Sequence, residues 1–265
     1  MFRDYLDAAI LGLVEGLTEF LPVSSTGHII LFDDLLGFNG PPGHVFDVVV
    51  QLGAILAVCV VYFSRLWKVA VGLKDDPRAW RFTIAVLLAF LPSAVLGFLL
   101  HGFIKSVLFN TTVVCVSLIV GGIAILIVER FVPTPRYHEV ERFTAPLALK
   151  IGLFQCLALV PGVSRSGATI LGALLLGVDR RTAAEFSFFL AIPTMFGATV
   201  YDLYKNWSHM SSDGAALIAV GFAVAFVSAI VVIKAFVNFI GRYGFAPFGW
   251  YRIAIGALIL GMIYL

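Results

Sequence analysis

Apolar residues fill this chain in long runs with few interruptions, and the run lengths set the expected architecture. Six runs, at about 45–64, 82–100, 107–128, 183–203, 215–233 and 247–265, reach the roughly 20 residues that a helix needs to cross a bilayer. Phe, Val, Leu and Gly dominate them, and Gly and Pro are tolerated in such helices. Two further stretches break the pattern. Residues 8–21 are apolar but stop at Pro22. At about 1.5 Å per residue, that helix reaches about 21 Å, short of a ~30 Å hydrocarbon core. Residues 25–37 form a second short run, and 148–160 followed by 165–177 repeats the design. Each pair predicts a helix–break–helix hairpin that enters the membrane and leaves by the same side. Broken backbone is allowed at that depth only where protein or water covers it.

The two hairpins also share a sequence pattern, with residue numbers differing by 140 between the copies. Gly12-Leu13-Val14-Glu15 matches Gly152-Leu153-Phe154-Gln155, and Ser24-Ser25-Thr26-Gly27 matches Ser164-Arg165-Ser166-Gly167. Pro22 lies in the first connection and Pro161, one place out of step, in the second. The expected fold is an all-α polytopic membrane protein with six transmembrane helices and two re-entrant helical hairpins. It forms one membrane domain in two repeats: 1–132 (hairpin about 8–37, then three spans) and 146–265 (hairpin about 148–177, then three spans). Three spans per repeat is an odd number, so the second repeat is inverted relative to the first. Polar groups of corresponding broken helices then meet near the midplane, where sites at repeat interfaces are built.

Composition agrees: the chain of 265 residues is 60% hydrophobic and 13% charged, with a mean hydropathy of +1.00, which excludes an ordinary soluble domain. A net charge of +2 implies no general attraction to nucleic acid. Cys59, Cys115 and Cys156 lie inside apolar runs and read as buried thiols. Arg3, Asp4 and Asp7 precede an apolar run that already holds Glu15 and Glu19, so insertion without a cleaved leader is expected. The basic connections contain Arg65, Lys68, Lys74, Arg78 and Arg81; Arg130, Arg136, Arg142 and Lys150; Arg180 and Arg181; and Lys234 and Arg242. Placing them in the cytoplasm satisfies the positive-inside rule and leaves Arg3, Lys105 and Lys205 on the other side.

The polar residues of the hairpins suggest chemistry. Glu15 and Glu19 share one helix face. So close in a membrane, two carboxylates must share a proton or bridge a cation, and a hard divalent ion such as Mg2+ suits them. Pro22 ends the first helix, and Ser24 is a natural N-cap for the next. The free N–H groups and hydroxyls of Ser25, Thr26 and Gly27 then suit a phosphate, as do Ser164, Ser166 and Gly167 in the second copy, with Thr169 adding a hydroxyl. Plain capping accounts for Ser24 and Ser164 but not for Arg165. Arg165 has no acid within one helical turn, and its planar fork matches phosphate oxygens. His28 suits a base, an acid or a phosphate-accepting nucleophile, or a histidine satisfied by a backbone carbonyl. Asp47, Gln51 and Glu185 are weaker candidates for a supporting role. Asp33, Asp34 and Asp179 read as exposed ends. His44, His101, His138 and His209 have no metal-ligand spacing, and Gly12-x-x-x-Gly16 reads as a close helix contact.

The blocks Glu15-Gly16-Leu17-Thr18-Glu19-Phe20-Leu21-Pro22-Val23-Ser24-Ser25-Thr26-Gly27-His28 and Pro161-Gly162-Val163-Ser164-Arg165-Ser166-Gly167-Ala168-Thr169 carry a resemblance over nearly the whole length. The chain resembles the bacitracin-resistance type of undecaprenyl-diphosphate phosphatase. That resemblance implies a bacterial inner-membrane enzyme that hydrolyses a polyprenyl diphosphate lipid and recycles the carrier for cell-wall polymers. It also implies a divalent cation (Mg2+ or Ca2+), a site open to the periplasm, and a homodimer as one partner arrangement. Glu15 and Glu19 are then the metal ligands, Arg165 neutralises charge, and Ser25 is the preferred nucleophile with His28 taking its proton; a phosphohistidine or direct attack by water are the alternatives. Two other readings also suit these residues. Inverted repeats with broken helices also suit a polyprenyl-phosphate transporter or flippase. Ser25-Thr26-Gly27-His28 resembles, weakly, the Ser-Gly-His element of type 2 phosphatidic-acid phosphatases, but that family's Lys-x6-Arg-Pro block is missing.

Overall fold

The computed structural model describes residues 2–38, 45–108, 110–206 and 212–264. His44 and His209 lie outside the described residues, as does the side chain of His101. The helices, in chain order, are α1 (Phe2–Thr18), α2 (Ser25–Leu36), α3 (Val45–Val61), α4 (Phe63–Gly72), α5 (Pro77–Phe103), α6 (Thr111–Arg130), α7 (Ala145–Gln155), α8 (Arg165–Leu175), α9 (Arg180–Asn206), α10 (Ser212–Tyr243) and α11 (Ala246–Tyr264). The architecture is an all-α, multi-pass membrane protein. Among the described residues, five helices (α5, α6, α9, α10 and α11) are each long and apolar enough to span.

The sixth expected span, 45–64, corresponds to a bent pair, α3 and α4, that is long and apolar enough when counted as one span. The helix stops at Val61, and the chain bends by 74° into the separate helix α4. The apolar run continues through the bend, but α4 is two-faced. Phe63, Trp67 and Val71 stand exposed on one side, whereas Leu66 and Val69 pack on the core. The other side also directs Arg65 to Glu141 (2.8 Å) and Glu185 (2.7 Å). Glu185 therefore belongs to this ion cluster, with Arg181 at 3.1 Å. Asp179 is not an exposed end either: its carboxylate accepts from the N–H groups of Arg181 (3.0 Å) and Thr182 (3.1 Å) and caps α9.

The helix pairs recur when the halves are exchanged. Helix α1 packs on α10 as α7 packs on α5, α3 packs on α10 as α5 packs on α9, and α6 pairs with α11. Small residues make these contacts close. A Cβ on Gly12 would lie 2.3 Å from the Gly221 carbonyl, and one on Gly152 would lie 2.4 Å from that of Ala89. The shared Gly of the two copies is thus the point at which each short helix meets its long partner, as small residues do between membrane helices. The core is rich in phenylalanine and centres on α9, where Phe186, Phe188 and Phe189 are buried; Phe188 meets Phe20 of the first break edge to face at 5.3 Å. This packing seats the break after α1 beside α9 and the start of α8.

Candidate active site

Both hairpins break in the same way. After α1 the chain turns through Glu19–Val23 and enters α2 through Ser24, and after α7 a short 3-10 turn (Cys156–Leu159) leads to Ser164 and α8. Ser24 (φ +71°) and Ser164 (φ +76°) are the non-glycine residues with positive φ among the described residues. Such backbone costs on the order of 1–3 kcal/mol and persists where the surroundings enforce it. Each strained serine caps its helix: Ser24 Oγ accepts from Gly27 N (3.4 Å) and Ser164 Oγ from Gly167 N (3.1 Å).

Arg252 of α11 ties down the backbone just before both serines. Its side chain is 1% exposed and donates to the carbonyls of Pro22 (3.0 Å), Gly162 (2.8 Å), Val163 (2.9 Å), Ser117 (3.0 Å) and Leu118 (3.3 Å). One guanidinium thus ties both break segments to α6, using the five donors of the fork. Sequence reasoning missed it, although a lone arginine in a spanning run carried the same signal as Arg165.

The two breaks present complementary charge. Arg165 Nη2 lies 2.9 Å from Glu19 Oε1, and Nη1 donates to the carbonyl of Ser187 at 2.6 Å. The partner that Arg165 needs therefore comes from the other hairpin. The Ser25 hydroxyl donates to the second oxygen of Glu19. His28, expected to take that proton, is held at both ring edges instead. Nδ1 meets the carbonyl of Ser24 at 2.8 Å, and Nε2 meets the Tyr251 hydroxyl at 2.7 Å. A carbonyl only accepts, so Nδ1 carries the proton in the neutral ring and Nε2 accepts from Tyr251. Glu19, not His28, faces the Ser25 hydroxyl.

A cleft of about 200 Å³ opens between the breaks. Of the predicted residues, Glu19, Ser24, Ser25, Thr26, Ser164 and Arg165 line it. The others lie behind this wall. The Ser166 hydroxyl donates to the carbonyl of Leu21 (2.7 Å), joining the two breaks, and Thr169 donates to that of Arg165 (2.9 Å). Gly27 and Gly167 give their N–H groups to the capping serines. Glu15 is buried, and its Oε1 has no hydrogen-bond partner; its charged neighbours are Glu19, Asp47 and Arg165. The structure adds Ser93, Gln155 and Thr194 to the cleft, with the weaker candidate Gln51. Ser93 and Thr194 each follow a proline inside a long helix, a local signal that passed unused.

Among the described residues, no group of three or more His, Cys, Asp or Glu side chains gathers as a ready metal cage. Mg2+ seldom needs one, since one or two carboxylates commonly hold it while substrate phosphates and water complete the octahedron. The Glu15–Glu19 pair supplies carboxylates for that mode: Oε1 of Glu15 is the unpartnered ligand atom, while both oxygens of Glu19 are engaged by Ser25 and Arg165.

Comparison with known proteins then decides the family. The model of the bacitracin resistance protein BacA family matches residues 8–258, which include both hairpins. This chain belongs to the BacA family. Among similar proteins, undecaprenyl-diphosphatase 2 of Paramagnetospirillum magneticum is 58% identical over 258 residues, covering 97% of this chain and 98% of the relative. Undecaprenyl-diphosphatase of Phenylobacterium zucineum is 58% identical over 264 residues, covering 99% of each. That of Azospirillum brasilense is 77% identical over 186 residues, covering 70% of this chain and 100% of the relative.

Proposed function

We propose that this chain is a membrane phosphatase that hydrolyses undecaprenyl diphosphate to undecaprenyl phosphate and inorganic phosphate, and so recycles the lipid carrier of cell-wall polymers. Resistance to bacitracin follows from the same recycling. One observation carries the chemistry: a hydroxyl, a carboxylate that accepts its proton and a guanidinium converge from two hairpins on one cleft. Such a set suits phosphoryl transfer, where positioning and charge neutralisation do most of the catalysis. Nothing in the cleft favours transport without bond cleavage.

In the mechanism, Ser25 Oγ attacks the terminal phosphorus as its proton passes to Glu19. The bond to the bridging oxygen breaks, its electron pair stays on that oxygen, and undecaprenyl phosphate leaves. Water then attacks the phosphoserine, Glu19 returns its proton to Ser25 Oγ as the bond from that oxygen to phosphorus breaks, and phosphate leaves carrying the oxygen and both protons of the water. Arg165 holds the non-bridging oxygens. Ser24, Thr26 and Ser164 line the phosphate end of the cleft. Ser166, Gly27, Gly167 and Thr169 keep the two helix starts in shape. His28, anchored by Tyr251 and Ser24, positions the start of α2. Glu15 and Glu19 would hold Mg2+ or Ca2+, which supplies charge neutralisation on the diphosphate.

We place the enzyme in the bacterial plasma membrane, with two inverted repeats and the cleft open to the periplasm. The exchange pattern of helix contacts and the basic connections support this placement. Phosphate release from undecaprenyl diphosphate by the purified protein in detergent, with Mg2+, with Ca2+ and with EDTA, tests the activity. Release that requires the metal is expected. Lipid movement in vesicles without release of phosphate would defeat the reading.

A further inference from the structure

Gln155 ends α7 and is 1% exposed, yet it lines the cleft. Two hydroxyls orient its amide. Ser93 gives its proton to the carbonyl of Phe90 (3.0 Å), and Thr194 gives its own to that of Leu190 (2.7 Å). Both oxygens can then only accept. Gln155 Nε2 donates to them, at 2.5 Å to Ser93 and 3.4 Å to Thr194. In this network Nε2 of the amide faces the two hydroxyls and Oε1 is turned away from them. This leaves Oε1 a buried acceptor without a partner.

The same cleft holds the complementary group, since Arg165 Nε is a buried donor without an acceptor. Unmet buried hydrogen-bonding groups are costly, so a ligand that reached either of them from the cleft would gain by satisfying it. A ligand that meets both presents an acceptor oxygen and a hydroxyl. A phosphate that retains one proton has both, whereas sulfate has acceptors alone. The residue type fits this reading. At the matching place in the first hairpin stands Glu15. A carboxylate at 155 would face two oxygens whose protons are committed, and it would repel an anion. An amide avoids both penalties and still accepts a hydrogen bond.

We propose that Gln155, held by Ser93 and Thr194, is a specificity residue that accepts a hydrogen bond from the P–OH of a protonated phosphate group in the cleft. The proposal rests on the phosphatase reading above. Two sources present that hydroxyl: the terminal phosphate of the lipid diphosphate and the inorganic phosphate released from it.

The test uses inorganic phosphate and sulfate as probes, titrated calorimetrically into the full-length protein in detergent. In mildly alkaline buffer both are dianions, and only phosphate keeps a proton. Wild type is expected to bind phosphate about tenfold more tightly than sulfate. Gln155→Leu erases the preference by weakening phosphate alone. A Ser93→Ala, Thr194→Val double variant frees the amide to turn its NH2 inward, so sulfate binds more tightly and the preference shrinks. A merely structural role would weaken both anions alike. No preference in wild type, or one that survives in both variants, overturns the proposal. The pH dependence of KM separates the sources. If the substrate supplies the hydroxyl, KM for undecaprenyl diphosphate rises as its last phosphate proton leaves, and Gln155→Leu flattens that rise. If only released phosphate supplies it, Gln155→Leu weakens product inhibition and leaves the KM profile parallel. Failure of wild type to hydrolyse the lipid would defeat the phosphatase reading, while the anion ratio still decides the role of Gln155.

Discussion

Glu19 makes two demanding contacts at once, accepting from the Ser25 hydroxyl with one oxygen and pairing with Arg165 through the other. Its removal should therefore strike the chemical step. Glu19→Gln is expected to lower kcat by about 10²–10⁴ with a smaller change in KM, the range for loss of a positioned base. Steady-state phosphate release at saturating lipid measures it, and an unchanged kcat would rule Glu19 out as the base. His28 makes the opposite prediction. Because its ring is engaged by Ser24 and Tyr251, Tyr251→Phe should remove one hydrogen bond and keep activity within about tenfold of wild type, whereas Ser25→Ala should lose nearly all of it. A Tyr251→Phe enzyme as inactive as Ser25→Ala would return His28 to the proton transfer. The residue types at the breaks were legible in the sequence because each is costly in hydrocarbon. The proton partner of Ser25 was not, since Glu19 and His28 both lie within reach in sequence and only the three-dimensional turn selects one.

Helices and their breaks depend on contacts that a short stretch of sequence does not contain. Pro22 and the capping serines marked both break positions locally, and α2 and α8 begin where they indicated. The clamp on those breaks is remote: Arg252 is 230 residues from Pro22 and meets it only in the packed molecule. Arg252→Met would leave five carbonyls without their donor, and Arg252→Lys cannot span them from a single nitrogen. Either substitution is expected to destabilise the protein by about 3 kcal/mol or more, read as a lower unfolding midpoint in detergent. Retention of the wild-type midpoint by both would show that the breaks hold themselves. Gly12→Val should act similarly at the α1–α10 contact, because its Cβ has no room beside Gly221. Hydropathy alone did not show the bend after α3, since it does not reveal a two-faced helix such as α4, whose polar side is spent on the Arg65 ion pairs.

Across the whole molecule, the class of fold was plain from run lengths and composition, because a bilayer forces helices of about 20 apolar residues. Orientation is a separate matter, carried by the charged connections. A Gly37→Cys variant is expected to react with an impermeant thiol reagent from outside intact cells, and Asp76→Cys only after permeabilisation. Labelling of both from one side would reverse the assignment of the repeats. The central claim is that two hairpins from the two halves build one catalytic centre. Phosphate release from undecaprenyl diphosphate by Glu19→Gln, Arg165→Ala and the double variant, each compared with wild type, tests it directly. If the residues act as a unit, the double variant loses little more than the worse single variant. Losses that multiply would mean that Glu19 and Arg165 act independently, and would contradict a shared site.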